Sequence, residues 1–158
     1  MELPPVVEEK FKQLIGRYPV KRSALIPMMI YAQDSFGFLS DEVLEEIAAR
    51  LDLNFIQVTE TLAYYSMLRR KPAGKYHLQV CTNVSCMVRG GNELLDHCKK
   101  RLGIGNKETT PDKLFSLEEV ECMGACSWAP AVQVNYDFHH FVTPEKLDRL
   151  LDGLRKIH

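Results

Sequence analysis

Two pairs of cysteines set the strongest constraint on how this chain folds. Cys81 and Cys86 flank Thr82-Asn83-Val84-Ser85 directly after a run with strand character, and Cys122 and Cys126 flank Met123-Gly124-Ala125 directly after another. If the two strands are neighbours in one sheet, two short loops deliver four thiols to one sheet edge, which is the arrangement a tetrathiolate site needs. The donor type suits zinc or an iron–sulfur cluster. Zinc pairs usually have two intervening residues and close on one ion, whereas wider gaps suit two irons held apart by bridging sulfides. Gly124 beside small Ala125 lets the backbone approach closely, loop N–H groups can donate to sulfur, and neither loop carries a basic residue. A dithiol oxidoreductase is disfavoured, because the chain has no Cys-x-x-Cys and neither pair is expected to open a helix in the manner that lowers a thiol pKa. On spacing alone an iron–sulfur cluster, a structural zinc and unligated or redox-active thiols all stay open.

Composition narrows the setting of these thiols. The count of five cysteines is odd, and the start Met1-Glu2-Leu3-Pro4-Pro5 has neither a basic segment nor an apolar run, so a reducing, cytoplasmic location is expected. The longest apolar stretch, residues 24–32, is too short to span a bilayer and contains Pro27, which predicts no direct membrane insertion. Twenty Lys+Arg against 21 Asp+Glu give a net charge of −1, which offers no general attraction to nucleic acid or anionic lipid. At 158 residues with 46% hydrophobic and 26% charged side chains, the chain can bury a core without a staple, and wholesale disorder is excluded.

Hydrophobic periodicity divides the chain at the charged, Pro/Gly-punctuated segment Arg69-Arg70-Lys71-Pro72-Ala73-Gly74. Residues 1–72 read as a helical bundle. Val7, Phe11, Leu14 and Ile15 follow Pro5 at helical spacing, and Ser23 is expected to cap a second helix through Met28 and Met29. Ser40 caps a third carrying Val43, Leu44, Ile47 and Leu51, and Asn54 with Gln57 suggests a capping box for a fourth. Residues 73–158 change to mixed periodicity. Strands are expected at 76–80, 115–120, 131–134 and 138–142, and helices at 92–102 and from Thr143-Pro144-Glu145 onward. The order β, α, β, β, β, α describes a small mixed sheet flanked by helices, an α+β or α/β domain behind an N-terminal bundle.

At the cysteines the sequence resembles a known family. Phe115-Ser116, five residues, Cys122-Met123-Gly124-Ala125-Cys126, two residues and Ala129-Pro130 follow the signature of the 24 kDa [2Fe-2S] subunits of respiratory NADH:quinone oxidoreductase (complex I). Cys81-Thr82 with Cys86, and Ala131-Val132-Gln133-Val134-Asn135, are similar to it as well. Thr110 and Asp112 stand where that pattern has Asp and Met, and neither position is a ligand. The resemblance implies a thioredoxin-like [2Fe-2S] ferredoxin domain preceded by a helical extension. It further implies that Cys81, Cys86, Cys122 and Cys126 bind one [2Fe-2S] cluster that exchanges single electrons with FMN on an NADH-binding flavoprotein subunit. Through that partner the chain would meet the larger iron–sulfur subunit, in the soluble arm of a respiratory complex peripheral to the inner membrane. NADH and FMN would sit on the partner, and this chain would not turn over alone. Similar subunits serve NAD-linked hydrogenases and formate dehydrogenases, and a zinc-stabilised adaptor and a free-standing ferredoxin also stay open.

The remaining chemistry-bearing residues have plainer expectations. Cys98 falls on the apolar face of its helix with Leu94, Leu95 and Leu102 and is read as core. His77, four positions before Cys81, is read as a solvated strand residue, with a hydrogen bond near the cysteine site as the alternative; His97 and His158 are read as solvated, and strand alternation sends His139 and His140 to opposite faces. Tyr64, Tyr65, Met67 and the Met-rich second helix are candidates for packing or a partner surface, and Trp128 for shielding a cluster or touching a flavoprotein. Arg69, Arg70 and Lys71 read as a solvated linker. Gly103-Ile104-Gly105 lacks the third glycine and the following helix of a dinucleotide fingerprint.

Overall fold

The computed structural model describes residues 3–157, so that His158 lies outside the described residues. The chain divides into two compact units between Pro72 and Ala73. The first is built from helices α1 (Pro5–Arg17), α2 (Leu25–Phe36), α3 (Asp41–Leu51) and α4 (Phe55–Tyr64). Their apolar stripes close on Phe11, Met28, Met29, Leu39, Leu44 and Ile47, all fully buried. Each CH₂ so removed from water contributes roughly 0.8 kcal/mol, which is why four short helices hold together. Ser40 accepts the Val43 N–H at 3.4 Å, and the Asn54 N–H donates to Gln57 Oε1 at 2.9 Å, so both predicted caps form.

Ser23 does not cap the second helix. It lies in a 3₁₀ turn, Lys21–Ala24, where its N–H donates to the Val20 carbonyl, and α2 follows from Leu25 without a side-chain cap. Met28 and Met29 point into the core and present no partner surface, whereas Tyr64 and Met67 are exposed. The basic run is also less free than a solvated linker. Buried Gln33 donates to the Met67 carbonyl and accepts the Arg69 N–H at 2.6 Å, Arg69 Nε is enclosed, and Arg70 pairs with Asp41.

The second unit is a five-stranded sheet, β1 (Tyr76–Cys81), β2 (Glu108–Thr109), β3 (Phe115–Val120), β4 (Val132–Val134) and β5 (Asp137–His139), in the order β2-β3-β1-β4-β5. β1 and β3 are parallel and every other pairing is antiparallel. The first cysteine loop contains a five-residue helix, α5 (Val84–Val88), and helices α6 (Gly91–Leu102) and α7 (Pro144–Lys156) cover one face of the sheet. Leu78, Val80 and Leu117 meet Leu94, Leu95 and Cys98 of α6 and Leu147 and Leu151 of α7 in one core. Across the two helices Asp148 accepts from His97 at 3.0 Å and from Arg101 at 3.2 Å, so His97 is tied down rather than freely solvated.

Three departures from the expected order have local causes. Helix α5 and the two-residue edge strand β2 are both shorter than periodicity can register. The strand expected over 138–142 ends at His139. Phe141 takes φ of 49°, its N–H donates to the Trp128 carbonyl, and the Val142 N–H donates to the Pro130 carbonyl, so the chain is pulled out of the ladder.

Candidate metal centre

β1 and β3 are hydrogen-bonded neighbours, and their parallel register pairs Cys81 with Val120. Both cysteine loops therefore leave the same end of the sheet. Past Cys81, Asn83 caps α5 by accepting the Val84 N–H at 2.8 Å, and α5 carries Cys86 back toward the strand end. Gly91, the first residue of α6, then packs against this loop: a Cβ there would lie 2.8 Å from the carbonyl oxygens of both Cys81 and Cys86. Sequence reasoning passed over Gly91. Its signal was the Gly90-Gly91 pair opening a helix where a polar cap is usual.

The second loop turns at Gly124, whose φ of 75° disfavours any residue with a Cβ. Open space surrounds that position, so the glycine supplies the backbone angle rather than the close approach expected from sequence. The turn lets the Gly124 N–H donate to Cys122 Sγ at 3.4 Å, and Cys81 Sγ donates to the Glu121 carbonyl at 3.6 Å, which ties the first loop to the second. Cys126 opens a 3₁₀ turn, Cys126–Trp128.

The four thiols fall into two environments. Cys81 and Cys86 are 4% and 2% exposed in a small cluster with Ala125, Ala129 and Ala131, whereas Cys122 and Cys126 are exposed. Burial pushes the Cys86 thiol up to about 11, the neighbouring Cys81 and Cys126 add to the shift, and a backbone hydrogen bond at Ala131 opposes it. Without a cation this sulfur stays protonated at neutral pH; with one, ligation releases the proton. Among the described residues no three His, Cys, Asp or Glu side chains are gathered closely enough to hold a metal ion. The candidate donors are all thiols, two buried among small alanines and two exposed, a donor chemistry that fits an iron–sulfur group.

The other sequence candidates separate cleanly from this centre. Cys98 is buried on α6, and its thiol is pushed up to about 12 by burial and by Asp148, as a packing residue. Burial lowers the titration of His139. His140 lies beyond β5 and stacks on Trp128, with ring centroids 4.8 Å apart and planes 25° from parallel. Contrary to its expected exposure, His77 is buried, 2.8 Å from Ser116 Oγ and 3.1 Å from Glu118 Oε2. Gly103 ends α6 in the left-handed conformation, and the Gly105 N–H donates to Glu108, so that glycine pair is a helix terminator.

Known proteins resemble this chain in sequence and in fold. Over 149 residues the chain is 42% identical to an E-type subunit of the NADH-quinone oxidoreductase of Rhizobium meliloti (strain 1021), covering 94% of this chain and 89% of the relative. It is 41% identical over 147 residues to the corresponding NADH-quinone oxidoreductase subunit of Rickettsia bellii (strain RML369-C), covering 91% and 88%. An NAD+-reducing [NiFe]-hydrogenase in the H2-reduced state shares the fold, with a TM-score of 0.70 and 18% identity over 81% of this chain and 22% of that one. The family model for thioredoxin-like [2Fe-2S] ferredoxins matches residues 11–155. The chain thus belongs to the thioredoxin-like [2Fe-2S] ferredoxin family, whose members carry one [2Fe-2S] cluster.

Proposed function

We propose that Cys81, Cys86, Cys122 and Cys126 ligate the cluster and that the chain is an electron-transfer subunit of NADH:quinone oxidoreductase, exchanging single electrons with the FMN of an NADH-binding flavoprotein subunit. The observation that carries this reading is that the two cysteine loops leave the same end of the sheet, one pair of thiols buried and the other exposed. The names of relatives at 42% and 41% identity support the assembly. When bound, the cluster supplies a one-electron acceptor beside a two-electron flavin. The protein's own part is to hold and insulate it. Cys81 and Cys86 anchor the inner side, Ala125, Ala129 and Ala131 keep water from it, and the Gly124 N–H stabilises negative charge on Cys122 Sγ.

The exposed side supports a partner. Val84, Met87 and Val88 on α5 and Trp128 just past Cys126 are substantially exposed, as are Phe138 and Phe141, whose segment is tied to Trp128 by the His140 ring stack and the Phe141 N–H. Large apolar side chains concentrated about a redox edge are what a covered interface requires. We assign that interface to the flavoprotein, through which the chain reaches the larger iron–sulfur subunit. In this reading the second unit carries the cluster and the first is a helical extension. In the same reading the chain meets the inner membrane peripherally, through the assembly; among the described residues no helix is long and apolar enough to cross a membrane. Affinity purification of the tagged chain tests the reading. A co-eluting FMN-containing NADH dehydrogenase, lost when Met87 and Trp128 are both changed to Asp, supports it; recovery of the cluster-loaded chain with no flavoprotein contradicts it.

A further inference from the structure

The sheet face turned away from α6 and α7 carries a buried polar row that ends at a cysteine. Alternation along β1 puts His77, Gln79 and Cys81 on that face, and along β3 Ser116, Glu118 and Val120. The parallel register sets His77 beside Ser116, Gln79 beside Glu118 and Cys81 beside Val120. His77 Nδ1 lies 2.8 Å from Ser116 Oγ and Nε2 lies 3.1 Å from Glu118 Oε2, while Gln79 Nε2 donates to the same oxygen at 3.3 Å. His77, Ser116 and Glu118 are 8%, 4% and 8% exposed. These are the residue types of a nucleophile triad, but Ser116 is enclosed and the cavity lined by Arg89, Leu94, Pro130 and Phe141 lies elsewhere. A hydrolytic role has no room for a substrate.

An ionisable pair in such a place is expensive to bury and no better for packing than an apolar pair. Its position suggests what it does instead. Glu118 is diagonal to Cys81, roughly 8 Å away from strand spacing and rise, and its burial leaves the field between them little screened. We propose that the His77–Glu118 pair poises the electron affinity of the centre at Cys81, so that reduction is linked to a proton on His77. This rests on Cys81 being a cluster ligand, as proposed above.

With His77 neutral, the Glu118 carboxylate opposes an added electron. With His77 protonated, the pair carries no net charge and the opposition falls. Burial alone would raise the Glu118 carboxyl, but bonds from His77 and Gln79 and the charge of Lys107 hold it below the ordinary glutamate value, so it stays ionised at neutral pH. From β4 the row meets Gln133, and just past that strand Asn135, both uncharged; Asn135 Oδ1 accepts the His77 backbone N–H at 2.9 Å. On the far face His97, Arg101 and Asp148 pair among themselves.

The test is a potentiometric titration of the full, cluster-loaded chain, followed by EPR, at a series of pH values across the range in which imidazoles titrate. The wild-type reduction equilibrium should weaken as pH rises, by up to tenfold per pH unit, which is 59 mV for one electron. His77→Gln should remove the slope and sit at the high-pH limit; Glu118→Gln should raise the electron affinity several-fold at high pH. A wild-type potential independent of pH, or an unchanged slope in His77→Gln, overturns the proposal. Failure of wild-type protein to hold iron and sulfide would instead overturn the ligand assignment, so the two failures are distinguishable.

Discussion

Gly91 offers the sharpest test of how the first cysteine loop is held. In Gly91→Ala the new methyl would sit 2.8 Å from the Cys81 and Cys86 carbonyl oxygens and 2.9 Å from the Cys86 carbonyl carbon, all backbone atoms that cannot rotate away. Overpacking of this kind typically costs about 1–3 kcal/mol. Alanine's better helix propensity returns at most about 1 kcal/mol, and less than that at the first residue of α6. A net loss of about 1–2 kcal/mol is expected, with α6 or the cysteine loop displaced. Gly153→Ala is the matched control, because nothing lies within 4 Å of its added carbon and α7 is helical there; it should gain about 0.5–1 kcal/mol. Trp128, the chain's single tryptophan, reports unfolding of the second unit alone, so anaerobic urea titrations by its fluorescence read both variants. Iron and sulfide retained per chain give a second measure. Gly91→Ala as stable as wild type, with undiminished iron and sulfide, would be incompatible with this packing.

Other substitutions separate the packing residues from the centre. Cys98→Ala should keep the full cluster signal and lose about 1 kcal/mol of stability; loss of iron from this variant alone would contradict its placement in the core. Asp148→Asn removes the shared partner of His97 and Arg101, which are partly exposed, and should cost only about 0.5 kcal/mol, shrinking in high salt, by urea titration. Because the Glu118 carboxyl is held below its ordinary value when folded, its stabilising contribution is full above the unfolded glutamate range and is lost as pH falls through the lower folded value. Acid titration of stability should therefore be shallower in Glu118→Gln than in wild type.

How much of this was legible in the sequence depended on the range of the interactions involved. The cysteine pairs at strand ends, the caps at Ser40 and Asn54, and the core role of Cys98 were readable because each is set by spacing within a few residues. The end of β5 was not, since Phe141 is turned out of the strand by the carbonyls of Trp128 and Pro130, made neighbours only by the fold. His77 was misread for the same reason: its partners Ser116 and Glu118 lie 39 and 41 residues away, and a histidine at an alternate strand position is otherwise indistinguishable from a solvated one. Ser23 carries a good capping side chain, but the preceding Val20 carbonyl takes up its N–H in a 3₁₀ turn and moves the helix start to Leu25. Gly91 drew no reading from the sequence, because the two carbonyls facing it belong to the cysteine loop and are set against it only by the fold.

Metal and acid-labile sulfide content, together with EPR on anaerobically purified protein, decides whether these four cysteines hold a redox-active binuclear cluster. Two irons and two sulfides per chain, silent as isolated and giving a spin-half signal after dithionite, are predicted, with loss of the native signal in Cys81→Ser and Cys86→Ser. One zinc per chain, with no sulfide and no signal even after anaerobic reconstitution, would contradict the electron-transfer reading and leave a zinc-stabilised adaptor.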